Sequence, residues 1–174
     1  RFAIPVTQYR PRAMNLPTDH AMHMGYDPAP LISEADVIIA VECEVPWIPR
    51  LKKPISDCVV AQIAADPLYS DAPHRGFRAD FAITGIVDVS MRALLAALEA
   101  RGAMAQDRVA ARRSRIVEAG AALQKEWKNQ LENMSSSQPI ASAWLSHCLS
   151  NVVDDSAVII RESPLDLRFV ERRQ

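Results

Sequence analysis

Glycine is scarce in this chain: there are five in 174 residues, at positions 25, 76, 85, 102 and 120. Their spacing writes neither a GxGxxG fingerprint nor a P-loop, both of which need glycine so that backbone amides can approach a phosphate. Cysteine is equally sparse. Cys43, Cys58 and Cys148 are odd in number and too far apart for a CxxC motif, which argues against a disulfide framework and fits a reducing, cytoplasmic compartment. No serine sits in a GxSxG elbow, so a hydrolase triad lacks its nucleophile. Excess charge is missing too. Twenty Lys and Arg against 21 Asp and Glu leave a net charge of −1, so no global field would hold the chain on nucleic acid or an anionic membrane. No apolar run approaches the ~18 residues of a membrane span, and the opening Arg1-Phe2-Ala3-Ile4-Pro5-Val6 is too short in apolar residues for a signal peptide. It also lacks an initiator Met, and the end at Gln174 comes without a turn or tail. Both ends read as cut, and the expectation is a piece of a longer protein.

What is present is ordinary for a chain that buries a core: 49% hydrophobic and 24% charged residues, too apolar for disorder. Ten of the 12 prolines precede residue 74, so a proline-punctuated first part gives way to a helical second part. Charge divides similarly, with nine basic and twelve acidic residues over 1–100 and eleven and nine over 101–174. In the first part, apolar runs of strand length occur at Ala3 to Thr7, Val37 to Val41, Cys58 to Ala64 and Ala79 to Ile83. Val37-Ile38-Ile39-Ala40-Val41 shows no polar alternation, which predicts a parallel strand buried on both faces. Asp27-Pro28-Ala29-Pro30 predicts a short helix through Ala35, since proline in a first turn loses no hydrogen bond. The fold class is therefore α/β, with a partial Rossmann-like parallel sheet and flanking helices.

Asp88 is the expected N-cap of a helix carrying Val89, Met91, Leu94, Leu95 and Leu98 at helical spacing, with Gly102 just past its end. From Gln106 to Met134 no proline intervenes, and Val109, Ile116, Leu123, Trp127 and Leu131 form an apolar stripe. One long helix is expected, with Gly120 the place for a bend. Ser135-Ser136-Ser137-Gln138-Pro139 reads as a linker. Beyond it, Ile140, Trp144, Leu145, Cys148 and Leu149 share a helical face, and Ala157-Val158-Ile159-Ile160 reads as a buried strand.

Few residues suggest chemistry. Asp19, His20 and His23 lie within five residues, and on a helix His20 and His23 would share a face and could share a metal; bracketed by Pro17 and Gly25, the segment reads better as a loop whose His side chains cap or hydrogen bond backbone. Arg108, Arg112, Arg113 and Arg115 crowd the start of the long helix, but no aromatic interleaves them for base stacking, so a solvated face is the reading and nucleic acid is not expected. Cys43, ending an apolar strand, reads as an inert buried thiol, and Trp47, Trp127 and Trp144 as core or interface anchors. In an open α/β sheet a ligand would sit at the carboxyl ends of the strands, here Glu42-Cys43-Glu44 and Ala65-Asp66-Pro67.

The order of three pieces, Leu16-Pro17-Thr18-Asp19-His20-Ala21-Met22-His23-Met24-Gly25, then Glu34-Ala35-Asp36-Val37-Ile38-Ile39-Ala40-Val41, then Ala61-Gln62-Ile63-Ala64-Ala65-Asp66-Pro67, resembles the central domain of thiamine-diphosphate-dependent enzymes of the acetolactate synthase-like group. Alanine replaces the family's usual proline after His20, and Glu42 replaces its strand-end glycine. The resemblance implies a second half of the central domain over 1–102, a helical linker over 103–138, and over 139–174 the truncated start of the C-terminal diphosphate-binding domain. It implies a parent that is a carboligase or decarboxylase (a transferase or lyase) acting on a 2-keto acid with thiamine diphosphate and Mg2+, and a homo-oligomer. The glutamate and the GDG motif that hold and activate the cofactor in that family are absent, so this chain alone is expected neither to bind it nor to catalyse. No catalytic residue or metal ligand is assigned. Glu162 and Ser163 fall, by position at the end of the cofactor domain's first strand, where cofactor contact is expected. The loop Glu42-Cys43-Glu44-Val45-Pro46-Trp47 is acidic and lacks the family's arginine, which disfavours FAD. The alternatives are a non-catalytic α/β binding or regulatory module and a metalloenzyme built on His20 and His23.

Overall fold

A computed structural model describes the chain except for residues 12–14, 73–75, 102–105, 155, 161–164 and 171–174. It is mixed α/β and divides into two compact units, Asp27–Gln106 and the combination of Arg1–Tyr26 with Asp107–Gln174.

The first unit holds helix α1 (Ala29–Ile32), strands β1 (Val37–Val41), β2 (Val59–Ala64) and β3 (Phe81–Thr84), and helix α2 (Val87–Ala100). Proline at the head of α1 and the Asp27 carboxylate accepting the Ala29 amide at 2.9 Å start that helix. It stops at Ile32, short of the expected Ala35. The strands form one parallel sheet in chain order, with Ile39 opposite Ala61 and Ala61 opposite Phe81. Side chains alternate across a pleated strand, so Val60, Gln62 and Ala64 face one way with Ala40, and all four are buried. There Ile32, Trp47, Cys58 and Val60 make the core, with Ala35, Ile38 and Phe77 against it, and Trp47 meets the Phe77 ring edge-on at 5.4 Å. Gln62 is tolerated in this layer because its amide donates to the Arg78 carbonyl at 3.2 Å.

The expectation that β1 is buried on both faces is corrected: Val37 and Ile39 are exposed, as are Val59, Phe81 and Ile83 on the same side of the sheet. A run without polar alternation reports that both faces are apolar, and says nothing of whether both are covered. The N-cap of α2 is Ile86, two residues before the expected Asp88. The chain enters the helix directly from β3, and Asp88 lies in the first turn, where its charge suits the helix dipole and pairs with Arg92 one turn on at 3.0 Å.

In the second unit, α3 (Gln106–Met134) runs as one helix through Gly120 and is followed by α4 (Ser142–Val152) and a 3-10 turn at Leu167–Phe169. The stripe read along α3 is its packed face. Ile116 joins Ala3, Met22, Met24 and Val109, while Trp127, Leu123 and Leu131 join Ala143, Phe169, Tyr26 and Met134.

Three expectations fail here. Ala3 to Thr7 is not a strand: Pro5 has no amide to donate, Ala3 is left-handed at φ 50, and among the described residues the segment forms a single isolated parallel bridge, Val6 with His23. Residues 157–160 are not a strand either. No described strand lies in this unit to receive their backbone bonds, and Val158 and Ile160 stand in solvent. Finally, α4 buries Ala143 and Ser146 and leaves Leu145 and Leu149 exposed, as is Ile140 just before it. Its small residues allow close approach to the 3-10 turn. The Ser146 hydroxyl donates to the Ser142 carbonyl at 2.7 Å and accepts the Asp166 amide at 2.9 Å, so no polar group is wasted.

Candidate functional site

The carboxyl ends of the three parallel strands are where an open α/β sheet presents its ligand groups. At the end of β1 the Glu42 amide still donates to the Ile63 carbonyl at 2.9 Å, and Glu42 then turns with φ 42, in the left-handed region that glycine favours. Cys43 follows, half-buried. Burial pushes its thiol pKa up, outweighing a hydrogen bond from the Val45 backbone, so the inert, protonated thiol is the form present near neutrality.

After β2, Asp66 accepts the Ser70 amide at 2.7 Å and the Ser70 hydroxyl at 2.8 Å. The hydroxyl first, and then the amide, hold the carboxyl below its usual range. Asp66 therefore organises its own turn. After β3, the Gly85 amide donates to the Ala64 carbonyl at 3.0 Å, and a side chain at Gly85 would meet the Ser90 hydroxyl at 2.9 Å. The strand ends thus carry an acidic residue after β1, Glu42, and another after β2, Asp66, and neither Cys43 nor Gly85 offers a basic side chain there.

His20 and His23 behave as the loop reading expects. The His20 Nδ1 accepts the Met22 amide at 3.1 Å and the His23 Nδ1 accepts the Gly25 amide at 3.3 Å. They cap successive turns, and among the described residues no group of three or more His, Cys, Asp or Glu could hold a metal ion. His23 is buried, with the Tyr26 ring edge-on at 5.3 Å. Because Nδ1 accepts, the neutral ring carries its proton on Nε2, which is buried without a hydrogen-bond partner.

Burial first, and the nearby His20 second, lower the His23 pKa from the ordinary 6.5. The unfolded chain therefore binds this proton at a higher pH than the folded one. Stability is full above 6.5 and is lost as pH falls below it through the folded value. Thermal unfolding should show a falling midpoint between about pH 7.5 and about pH 5.5. His23→Gln, whose amide oxygen can accept the Gly25 amide, should flatten that slope; an equal slope in both proteins would assign it elsewhere.

Glu162 and Ser163 lie outside the described residues. Arg108, Arg113 and Arg115 are exposed and Arg112 partly so. Trp47 and Trp127 are core, whereas Trp144 is half-buried beside His147.

Two polar clusters escaped the sequence reading. The Asp80 carboxylate accepts the Val60 amide at 2.8 Å and pairs with Arg78 at 3.2 Å; the Val60 bond is the main reason its pKa is lowered. Arg78 in turn donates to the Ser56 carbonyl at 2.7 Å, pinning the start of β2. In the second unit Arg168 pairs with Asp166 at 2.6 Å and donates to the Gln130 amide oxygen at 2.9 Å. These partners lie 20 or more residues apart in most cases, and no spacing rule connects them. Both clusters spend their polar groups on backbone and on each other, a structural use.

No family model, no curated protein and no solved structure matches this chain. No helix among the described residues is long and apolar enough to cross a membrane.

Proposed function

We propose that this chain is scaffold from a thiamine-diphosphate-dependent carboligase or decarboxylase acting on 2-keto acids: the second half of a Rossmann-like central domain, a helical connection, and the start of the diphosphate-binding domain. The observation that carries this reading is Glu42. The resemblance puts a glycine at the end of β1, and the chain keeps the left-handed backbone there, φ 42, although the residue is glutamate. An L-residue held in that region costs on the order of 1 kcal/mol, so a turn of this shape is being maintained against local preference. The parallel order of β1, β2 and β3, followed at once by α2, supports the same reading.

The strand ends do not fit a diphosphate. Glu42 and Asp66 present negative charge, Asp66 is already engaged by Ser70, and the one glycine there, Gly85, has the Ser90 hydroxyl beside it. The same mismatch weighs against FAD in this unit. No step of cofactor chemistry is therefore assigned to these residues, and such chemistry would belong mostly to the cofactor and to other parts of the parent.

A non-catalytic binding module is the second reading, favoured by the structural employment of Asp66, His20 and His23. The deciding experiment pairs two measurements. The longer polypeptide of the parent reading frame should release carbon dioxide from pyruvate only with thiamine diphosphate and Mg2+ present. The 174-residue chain should give no saturable calorimetric signal with the same cofactor. Micromolar binding by the short chain would overturn the placement of the site outside it, and a longer polypeptide without cofactor-dependent turnover would leave the binding module.

A further inference from the structure

Two short arms of the second unit, residues 3–8 and 16–26, are tied to each other through the backbone. The Val6 amide donates to the Met22 carbonyl at 2.9 Å, the Met24 amide to the Val6 carbonyl at 2.8 Å and the Gln8 amide to the Gly25 carbonyl at 3.0 Å. Against α3 the arms rest on apolar contact: Ala3, Met22 and Met24 meet Val109 and Ile116, and Tyr26 lies on Trp127. Gly120 lets the backbone come close, since a Cβ there would stand 4.0 Å from the His23 carbonyl oxygen. A polar contact, from the Gln124 amide to the Thr18 carbonyl, is long at 3.4 Å and exposed. Arms this short hold no structure away from a packed face.

The imidazole of His23, in the middle of these arms, is placed for its neutral form alone. Its Nδ1 faces a donor, the Gly25 amide, and its Nε2 is buried without a partner. A proton added to Nδ1 would oppose donor to donor, remove the cap from Gly25 and leave a charge among apolar groups. The titratable neighbours offer it no counter-charge. In its own segment these are His20 and Tyr26; the other arm meets it at Val6; and α3 presents Ile116, Gly120, Leu123 and Trp127 to the segment. Asp166 acts on Tyr26, and among the described residues no carboxylate pairs with His23.

We infer that the two arms form a proton-operated strap: when His23 takes up a proton they come away from α3, while α3, α4 and the 3-10 turn stay packed. The inference does not rest on the proposed chemistry. Unfolding of the whole unit is one route by which a charged His23 reaches water, and release of the arms is a route that exposes far less surface. What stays behind has contacts of its own, Trp127 and Leu131 with Ala143 and Phe169, and Arg168 with Gln130 at 2.9 Å. The stretch of α3 uncovered below about pH 6 would be residues 109–120.

Hydrogen exchange followed by mass spectrometry on the 174-residue chain tests this. In the open strap His23 titrates near the ordinary 6.5, so the open population should rise by up to about 10-fold from about pH 7.5 to about pH 5.5. After correction for free-chain exchange, peptides holding the Val6, Gln8 and Met24 amides should lose up to about 10-fold in protection, with α4 and the end of α3 unchanged. His23→Gln should abolish that loss, and His20→Gln should keep it. Because His20 and His23 are the only histidines of the segment, retention in His20→Gln assigns the proton to His23 even where the His23 variant fails to fold. Unaltered protection in the wild type, an equal loss in α4, a loss that persists in His23→Gln, or one that disappears in His20→Gln would each overturn the inference.

Discussion

Trp127→Ala is expected to strip a large part of the stability from the unit formed by Arg1–Tyr26 and Asp107–Gln174. The indole is buried on α3 and touches the residues that bring α4, the 3-10 turn and the N-terminal segment onto that helix. Its ring also stacks on Tyr26, with centroids 6.3 Å apart and planes inclined by 21°. Removing a buried tryptophan costs about 3–5 kcal/mol in transfer and cavity terms, and a whole domain holds only ~5–15 kcal/mol. Urea unfolding followed by circular dichroism should show a midpoint lowered by at least one third. Trp127→Phe keeps a ring over Tyr26 and should lose much less. Trp144, half-buried beside His147, is the internal control: Trp144→Ala should move the midpoint far less than Trp127→Ala. A Trp127→Ala protein as stable as that control would mean that the cluster around Phe169 does not hold the unit together.

The importance of Trp127 was legible because a 29-residue helix repeats one rule eight times. Its stripe of apolar residues recurs at sevens and fours, no proline interrupts it, and the serine run after Met134 marks its end. Strand β1 was equally plain, since four β-branched residues and an alanine lie between Asp36 and Glu42. The failures share a different cause. Residues 157–160 have strand composition and no strand beside them, and pairing is a property of neighbours. On α4 the apolar residues pointed to one face and the small ones decided the packing, because close approach to the 3-10 turn rewards Ala143 and Ser146 over bulkier side chains. The exposed positions Val37, Ile39 and Phe81 belong with these: their apolar composition was visible, while whether they are covered depends on what packs elsewhere in the chain.

At the candidate site the readable part was position, and the unreadable part was conformation and engagement. Open parallel sheets place ligand groups after their strands, which pointed to Glu42, Cys43 and Asp66 before any coordinates. That Glu42 is left-handed has no sequence signal, since non-glycine residues there are uncommon. That Asp66 is occupied by Ser70 has a weak one: an aspartate four residues before a serine in a turn can accept both its amide and its hydroxyl. For His20 and His23, the bracketing Pro17 and Gly25 carried the reading, because a turn offers backbone amides to an imidazole two residues back.

Gly25→Ala should be nearly as damaging as the loss of the tryptophan, for two separable reasons. Gly25 has φ +81, a conformation in which a Cβ is strained wherever there is room. Here there is none. The added carbon would stand 2.9 Å from Cζ2 of Trp127 and 3.2 Å from Cδ2 of Leu123, and the indole, packed on Tyr26, has little freedom to retreat. Strain of about 1 kcal/mol and overpacking of about 1–3 kcal/mol together predict a loss of roughly 2–4 kcal/mol. A double-mutant cycle separates the two parts. With Trp127 cut to phenylalanine, which is smaller and leaves a folded protein, the overpacking should largely vanish and the backbone strain should remain. Gly25→Ala should then cost about 1 kcal/mol in the Trp127→Phe background, a coupling of about 1–3 kcal/mol between the two sites. Additive losses would mean that the contact with Trp127 contributes nothing and that the left-handed backbone alone requires glycine. A Gly25→Ala protein of wild-type stability would mean that neither does.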